Sequence, residues 1–399
     1  MRILYLCHRY ADTTIGGVAE FLHYLPLALK PLGVEVIIYT QAKKNTKSDK
    51  LLGPVMIANQ TPHYSGPFLK PRWFPKKKEL LPLLTLCQQE KIDLIHAQGT
   101  YRAGYMAMYV YRYAGIPYII TSHSDILETN SKRVQRYTIK RRCQKILQEA
   151  AFVTHLTPII AKASHQIYDT QMKSQMIHNG IDVAAWRPYL HQPKQNYLLA
   201  IGRLEPEKGF SILIDAYAAL LKQGLTTSLV IAGTGSGEAL FQAQAKRLGL
   251  NVVTPFPVGQ PIPEKSVVFT GYVRGEEKKR LFSQAQCVLF ATQPDVFEEA
   301  FGIVQLEAMA AGKAMIASDI AATRYLQTLG MQACLVNPPN AISEWVQAIQ
   351  FLLNPPSFGE EMGAANERCV EQFAWERIAK DYKEVYEKVN TSTASPHYP

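Results

Sequence analysis

Cysteine is scarce, with six in 399 residues, at positions 7, 87, 143, 287, 334 and 369. No two form C-x-x-C and none stands beside histidine at metal-site spacing. A disulfide scaffold and a zinc module are thereby excluded, and buried thiols in a reducing compartment are expected. Long apolar runs are also missing: no run of 18 apolar residues occurs, and the stretch 101–121 is broken by Arg102, Arg112 and Pro117. That excludes a membrane-spanning helix. Glycine and proline stand at 24 each against 47% hydrophobic residues, which excludes a disordered or fibrous chain. The opening residues 1–7 carry neither the apolar core nor the small-residue cleavage site of a signal peptide, and read as a first buried strand. A cytoplasmic protein is expected.

What the sequence does have is an uneven charge. The total is +10. Residues 1–195 hold 26 basic against 12 acidic side chains, a balance of +14, whereas 196–399 hold 17 against 21, a balance of −4. The first half is expected to meet something anionic. Its cations gather twice. Lys70, Arg72, Lys76, Lys77 and Lys78 are interleaved with Phe68, Trp73 and Phe74. Lys132, Arg133, Arg136, Lys140, Arg141, Arg142 and Lys145 crowd one expected helix over 132–148. Basic residues beside Trp and Phe suit an anionic membrane surface. No nucleic-acid module is recognisable, so nucleic acid is not expected as a partner.

Short apolar runs alternate with longer amphipathic ones. The strand expected at 3–7 is followed by a helix at 18–32, closed by Gly33 as a C-cap, and a strand at 34–39. The rhythm continues to a strand around 176–178. The segment 186–195, WRPYLHQPKQ, carries two prolines and no periodicity. Strand and helix then alternate again from 197. Strand–helix–strand repetition predicts an α/β chain with parallel sheets wound on both faces. The expected organisation is a first Rossmann-like domain over 1–185, a linker at 186–195, a second Rossmann-like domain over 196–372, a last helix at 373–390 and a polar tail at 391–399. Two such domains leave an interdomain cleft at the carboxyl edges of their sheets, where ligands of open α/β folds bind.

The chemistry-bearing residues sit at strand ends. Gly202-Arg203-Leu-Glu-Pro-Glu-Lys208-Gly209 follows a strand and opens a helix. Glycine lets the backbone approach a ligand closely, and two cations five residues apart suit a diphosphate. In Glu299-Ala-Phe301-Gly302-Ile303-Val304-Gln-Leu-Glu307, two carboxylates eight residues apart flank an expected helix start. The amides of Gly302, Ile303 and Val304 can face an anion, and each glutamate can accept hydrogen bonds from a diol. That set fits a sugar nucleotide. Gly16-Gly17 after the first strand invites a phosphate or sugar, although G-x-G-x-x-G is absent. His123, in Ser-His-Ser-Asp after the strand 118–121, can hydrogen-bond a sugar or its phosphate, neutral or charged. Gly233, in a third glycine loop, and Tyr272-Val273, after another strand, are further places where a nucleotide can meet the backbone.

Taken in order, G-G, S-H-S-D, N-G-I-D, G-R-L-x-x-x-K-G and E-A-F-G-I-V-Q-L-E-A-M-A resemble the family-4 retaining glycosyltransferases, the glycosyl transferases group 1. The resemblance spans about residues 1–390. It implies the GT-B fold and a retaining, metal-independent transfer from a nucleotide-diphosphate sugar, with no cofactor. It implies that Arg203 and Lys208 hold the donor diphosphate, that Glu299 contacts the transferred sugar, and that Glu307 binds the ribose. His123 would lie near the sugar and leaving phosphate, and Gly17 near the phosphate. No D-x-D metal motif is present. The sequence departs from the family where Ala300 replaces a frequent proline, and where Ser318-Asp319 lacks its following Gly-Gly pair.

The acceptor is expected to be a glycan or glycolipid, a lipid-linked or cell-envelope intermediate reached from the cytoplasmic face of a membrane. Alternatives are a GT-B enzyme of another reaction, such as a phosphorylase or nucleotide-sugar epimerase, and a catalytically silent sugar-nucleotide-binding protein.

Overall fold

Apolar runs become strands here because both faces of each sheet are covered, so the strands read as nearly continuous hydrophobic stretches rather than alternating ones. In a computed structural model, which describes residues 1–8, 17–41, 52–56, 61–69, 77–123, 137–294 and 299–393, these strands form two sheets in two units. One unit is Met1–Gly180 with Phe373–Pro399, and the other is Ile181–Gln372.

Unit 1 runs β1 (Arg2–Cys7), α1 (Gly17–Leu29), β2 (Glu35–Gln41), β3 (Leu52–Met56), β4 (Pro62–Gly66), α2 (Lys77–Gln89), β5 (Leu94–Gln98), α3 (Arg102–Ala114), β6 (Tyr118–Ser122), α4 (Tyr137–Glu149), β7 (Phe152–His155), α5 (Pro158–Ile167) and β8 (Ser174–Met176). Its eight strands lie in the order β3-β4-β2-β1-β5-β6-β7-β8. Among the described residues only the β3–β4 pair is antiparallel. Gly33 takes a left-handed φ of 77° and closes the turn after α1, as its type predicts.

Unit 2 runs β9 (Tyr197–Ile201), α6 (Phe210–Lys222), β10 (Ser228–Ala232), α7 (Glu238–Arg247), β11 (Asn251–Val253), β12 (Ser266–Gly271), α8 (Gly275–Gln284), β13 (Cys287–Phe290), α9 (Ile303–Ala310), β14 (Ala314–Ser318), α10 (Ala321–Thr328), β15 (Cys334–Val336), α11 (Ile342–Leu353) and α12 (Pro356–Cys369). The strand order is β11-β12-β10-β9-β13-β14-β15. The residues 186–195 expected to link two domains belong to this unit, which begins at Ile181. They are fixed to it because Trp186 is buried edge-on against Phe282 and Lys279 lies over the Tyr189 ring.

The last helix, α13 (Trp375–Thr393), returns to unit 1. Trp375, Ile378, Ala379, Tyr382, Val385, Tyr386 and Val389 recur at helical spacing and are buried with Phe21, Leu22, Leu25 and Leu29 of α1. Gly180 stands where a Cβ would come within 2.4 Å of the Trp375 ring. The helix reaches Thr393, so the first residues of the expected tail are helical.

Aromatic hydroxyls of α13 anchor it to the sheet through a buried polar chain. Tyr386 Oη lies 2.8 Å from Tyr5 Oη and 2.8 Å from His96 Nδ1, and His96 Nε2 lies 2.6 Å from Thr121 Oγ1. Thr121 and Thr154 are 2.6 Å apart, and Tyr382 Oη reaches Thr121 at 3.2 Å. Burial holds the His96 imidazole well below its ordinary range, and with it neutral.

Two measurements test this anchoring. Tyr386→Phe leaves His96 Nδ1 and the Tyr5 hydroxyl without this partner in a dry interior, while His96 Nε2 keeps Thr121. It is expected to lower the stability of unit 1 by ~1–3 kcal/mol, read from urea unfolding. The second concerns pH. Burial also lowers the His123 and His155 pKa values to about 4 each. An unfolded imidazole takes up its proton below about 6.5, while the folded ones do not until much lower pH. The unfolded state therefore binds more protons in that window. Unit 1 is expected to lose stability as pH falls from 6.5 toward 4, by ~1.4 kcal/mol per pH unit for each such histidine. Hydrogen exchange of β5–β7 reads it. Unit 2, whose sequence contains only His191, is the internal control and should not follow the same curve.

Candidate active site

The strand order of unit 2 creates the site. β9 pairs in parallel with β10 on one side and β13 on the other. The connections leaving β9 and β13 run to opposite sides, and a crevice opens at their carboxyl ends. The loop after β9 carries Gly202–Gly209, and the loop after β13 leads to Glu299 and Gly302.

Glycine brings these two loops together. Gly209 has a left-handed φ of 73°, and a Cβ there would lie 2.0 Å from the Ala291 carbonyl oxygen. The Gln293 amide donates to the Glu207 carbonyl at 2.8 Å. Lys208, in the 3-10 turn Pro206–Lys208, is thereby placed to donate from Nζ to Glu299 Oε2 at 2.5 Å. Their side chains are 17% and 14% exposed. Removing one partner of so enclosed a pair leaves a charge uncompensated. Arg203 lies on the same loop, its side chain half-exposed, 3.7 Å from Glu207 Oε1.

The glycine loop after β10 lies over the β9 loop. A Cβ on Gly233 would meet the Gly202 carbonyl oxygen at 1.9 Å, and one on Gly235 would meet Leu204 at 2.4 Å. The Gly233 amide donates to the Gly271 carbonyl at 2.8 Å and the Gly202 amide to the Ala232 carbonyl at 3.0 Å. What these glycines give the site is close backbone approach. With its amide bonded to Gly271, Gly233 offers a donor close approach rather than a free N–H.

Gly302 enters α9 with φ 78°, and a Cβ there would meet Gln305 Nε2 at 2.5 Å. Gln305 Nα already bonds the Gly302 carbonyl at 2.9 Å. The amides of Ile303 and Val304, in the first turn, have no carbonyl one turn earlier to bond and point out of the helix end. Ala300 and Phe301 are buried beneath the loop. Glu307, farther along α9 and 7% exposed, is ion-paired with Lys278 of α8. Tyr272 is half-exposed and Val273 buried at the end of β12, where α8 departs.

In place of a Gly-Gly pair after Asp319, α10 starts at once. Arg324 of its first turn forks onto the Asp319 carboxylate, with Nη2 2.6 Å from Oδ2.

In unit 1, α1 opens at Gly17, while Gly16, Ser124 and Asp125 lie outside the described residues. His123 follows β6 with Nε2 3.0 Å from Gln98 Oε1 and its ring edge-on to Phe21. With its pKa lowered to about 4 by burial, it is neutral near pH 7. The charged form that the sequence allowed is thus removed, and Nε2 carries the proton donated to Gln98.

The basic face is partly described. Residues 70–76, 132, 133 and 136 lie outside the described residues. Lys77, Lys78, Lys140, Arg141 and Lys145 are exposed. Arg142 turns inward to Tyr101 Oη at 3.4 Å. Phe68 does not join this face. It is buried against the Tyr39 and His8 rings, because it closes the core beside β2. Among the described residues no helix is long and apolar enough to cross a membrane.

Lys278, Glu207 and Gln98 escaped the sequence reading. Lys278 lies in the run Glu276-Glu277-Lys278-Lys279-Arg280, which has the pattern of a solvated helix face. Its pairing with Glu307 depends on how α8 packs beside α9.

Comparison with known proteins bears on the family and the fold. A model described as Glycosyltransferase Family 4 matches residues 15–185, and one described as Glycosyl transferases group 1 matches residues 185–368. Glycogen synthase of Mycobacterium tuberculosis is 24% identical, over 97% of this chain and 94% of its own length. Among solved structures, sucrose-phosphate synthase from Thermosynechococcus elongatus superposes with a TM-score of 0.74 at 19% identity, covering 98% of this chain and 99% of that one. HepE of Anabaena, solved in complex with UDP, gives 0.73 at 20% identity, covering 97% of this chain and 100% of that one. It has also been solved with UDP-glucose. Those likenesses show the GT-B fold, and the two family models, end to end, show that this chain belongs to the family-4, group 1 glycosyltransferases.

Proposed function

We propose that this glycosyltransferase moves a hexosyl group, with retention and without a metal, from a nucleoside diphosphate sugar to a glycan or glycolipid acceptor of the cell envelope. The observation that carries the reading is the Lys208–Glu299 pair at the switch point of the unit 2 sheet. On this reading, a cation suited to phosphate and a carboxylate suited to sugar hydroxyls stand within one sugar's length. HepE, of the same fold, is solved with UDP and UDP-glucose, which supports a donor of that class.

On this reading the donor diphosphate draws Lys208 and Arg203, and Glu299 turns to the sugar hydroxyls. The amides of Gly302, Ile303 and Val304 serve sugar and phosphate, Glu307 accepts from the ribose, and Tyr272-Val273 lies beside the base. The bond from the anomeric carbon to the leaving phosphate oxygen breaks as the acceptor oxygen bonds to the same face. The acceptor proton passes to the departing diphosphate. Lys208 and Arg203 offset the charge that develops there, the task a metal performs in other transferases. Neutral His123, whose Nε2–H donates to Gln98, accepts a hydrogen bond at the sugar and does not act as a cation. Gly17 heads the helix assigned to the phosphate side.

Thermal shift against UDP, GDP, ADP and their sugars identifies the donor, and transfer is then assayed with that donor. Lys208→Met and Arg203→Met are each expected to lower kcat/KM by ~10–100-fold, about 1.5–3 kcal/mol per lost charged hydrogen bond. Glu307→Ala is expected chiefly to raise the donor Kd. Wild-type kinetics in all three would discard the site. Phosphorolysis or epimerisation products in place of a glycoside would move the reading to another reaction of the fold.

The exposed cations of α4, Lys140, Arg141 and Lys145, together with Lys77 and Lys78, support docking of the first unit on an anionic cytoplasmic leaflet. Co-sedimentation with phosphatidylglycerol vesicles is expected, weakened by 0.5 M salt and by a Lys140→Glu, Arg141→Glu, Lys145→Glu variant. Equal binding to neutral phosphatidylcholine vesicles would rule this docking out.

A further inference from the structure

We propose that Lys278 is a positioning residue for ribose recognition, holding the Glu307 carboxylate in place for the nucleotide's vicinal diol. The inference rests on the donor-site reading above and deepens it. Within the charged run of α8, each cation has its own neighbour. Arg280 meets Glu276 at the surface, 3.3 Å away, and Lys279 lies over the Tyr189 ring. Lys278 points instead to α9 and pairs with Glu307, the two side chains being 24% and 7% exposed. A surface ion pair of helix-face residues contributes little, but a carboxylate this enclosed must be paired or lose its charge.

The pair also joins two loops of the site. α8 starts directly after Gly271-Tyr272-Val273, and the Lys278 amide bonds the Arg274 carbonyl at the head of that helix. α9 starts at Gly302, where the phosphate-facing amides are. A carboxylate has two oxygens and about four acceptor positions. Fixing Glu307 Oε1 on Lys278 orients the group and leaves acceptor capacity for two adjacent hydroxyls. With Lys278 absent, the carboxylate loses the cation that fixes its orientation. A misaligned group then loses its advantage for a diol over a single hydroxyl.

The test compares ribo- and 2′-deoxyribonucleotides by titration calorimetry, using UDP and dUDP, with ADP/dADP and GDP/dGDP in parallel. Wild type is expected to prefer the ribo form of its nucleotide by ~10-fold or more. Lys278→Gln is expected to reduce that preference to within about 3-fold while changing the deoxy affinity by less than about 3-fold, and Lys278→Arg to restore most of it. An unchanged preference in a folded Lys278→Gln protein overturns the inference. So does an equal loss of both forms, which would mark a phosphate contact or general damage. If Lys278→Gln does not fold, the pair is removed as two neutral groups, in Lys278→Met with Glu307→Gln. Its preference should then match that of Glu307→Gln alone, and a further fall in affinity for both forms overturns the assignment. Wild-type binding with no ribo preference overturns the role of Glu307 and, with it, of Lys278. No binding of any nucleoside diphosphate overturns the donor-site reading itself.

Discussion

The unit 2 site depends on backbone-to-backbone contact between two loops that leave neighbouring parallel strands. At Gly209 there is room only for a hydrogen, since a Cβ would lie 2.0 Å from the Ala291 oxygen. The glycine's left-handed φ of 73° turns the chain from the Pro206–Lys208 turn into α6. That approach lets the Gln293 amide reach the Glu207 carbonyl, and it aims Lys208 at Glu299. The same principle operates one strand over, where Gly233 and Gly235 lie on Gly202 and Leu204. Three loops are thus layered at the carboxyl edge of the sheet with few side chains between them. Charged groups protrude from a floor made of backbone, which fixes where their side chains begin.

Unit 1 solves a different problem. Its core must accept a helix that is nearly 200 residues away in sequence from the rest of the unit. The apolar stripe of α13 supplies the area, but tyrosines at 382 and 386 bring hydroxyls into a dry interior. They are tolerated because His96, Thr121, Thr154 and Tyr5 complete the hydrogen bonds. An apolar helix could slide by a turn at modest cost, whereas a helix with two buried hydroxyls has one register in which both are satisfied. The polar chain therefore specifies the docking as well as contributing to its strength.

Much of this was legible beforehand, and the reasons differ by feature. Parallel strands such as β1, β9 and β13 carry runs of apolar residues, and Gly33 marks the end of a helix, so the α/β order was readable from local pattern. Lys208, Glu299 and Glu307 were readable from type and spacing at strand ends. The two outer strands β3 and β4 on one side of the unit 1 sheet were not. β3 contains Pro54, which an edge position tolerates, and β4 is the short segment PHYSG, without the β-branched run that marks a central strand. Residues 186–195 looked like a linker because they lack periodicity, yet Trp186 holds them to unit 2. Phe68 looked like part of a membrane-facing interleaving because local pattern cannot tell which aromatic turns inward. The Lys278–Glu307 and His123–Gln98 partnerships join residues 29 and 25 positions apart, and only the packing of elements reveals them.

On the proposed reading, the ion pairs have a consequence for selectivity. Each carboxylate expected to meet a hydroxyl is already bonded to a lysine, so the resting site holds little unpaired charge. Drawing Lys208 away from Glu299 leaves an enclosed carboxylate without its cation, which is unfavourable unless something replaces the lysine. Inorganic phosphate or a free nucleoside diphosphate can take the amine but offers Glu299 no hydroxyl. A nucleotide sugar brings both, a diphosphate for Lys208 and a polyol for Glu299, so only the complete donor satisfies both halves of the opened pair. The discrimination comes from the group left unpaired by the wrong ligand rather than from added contacts to the right one. The Lys278–Glu307 pair need not open in the same way, since one carboxylate can serve a lysine and a diol together. The two glutamates of one motif are thus set different tasks by the lysines that face them: Glu299 in a pair that must exchange, and Glu307 in a pair that must persist.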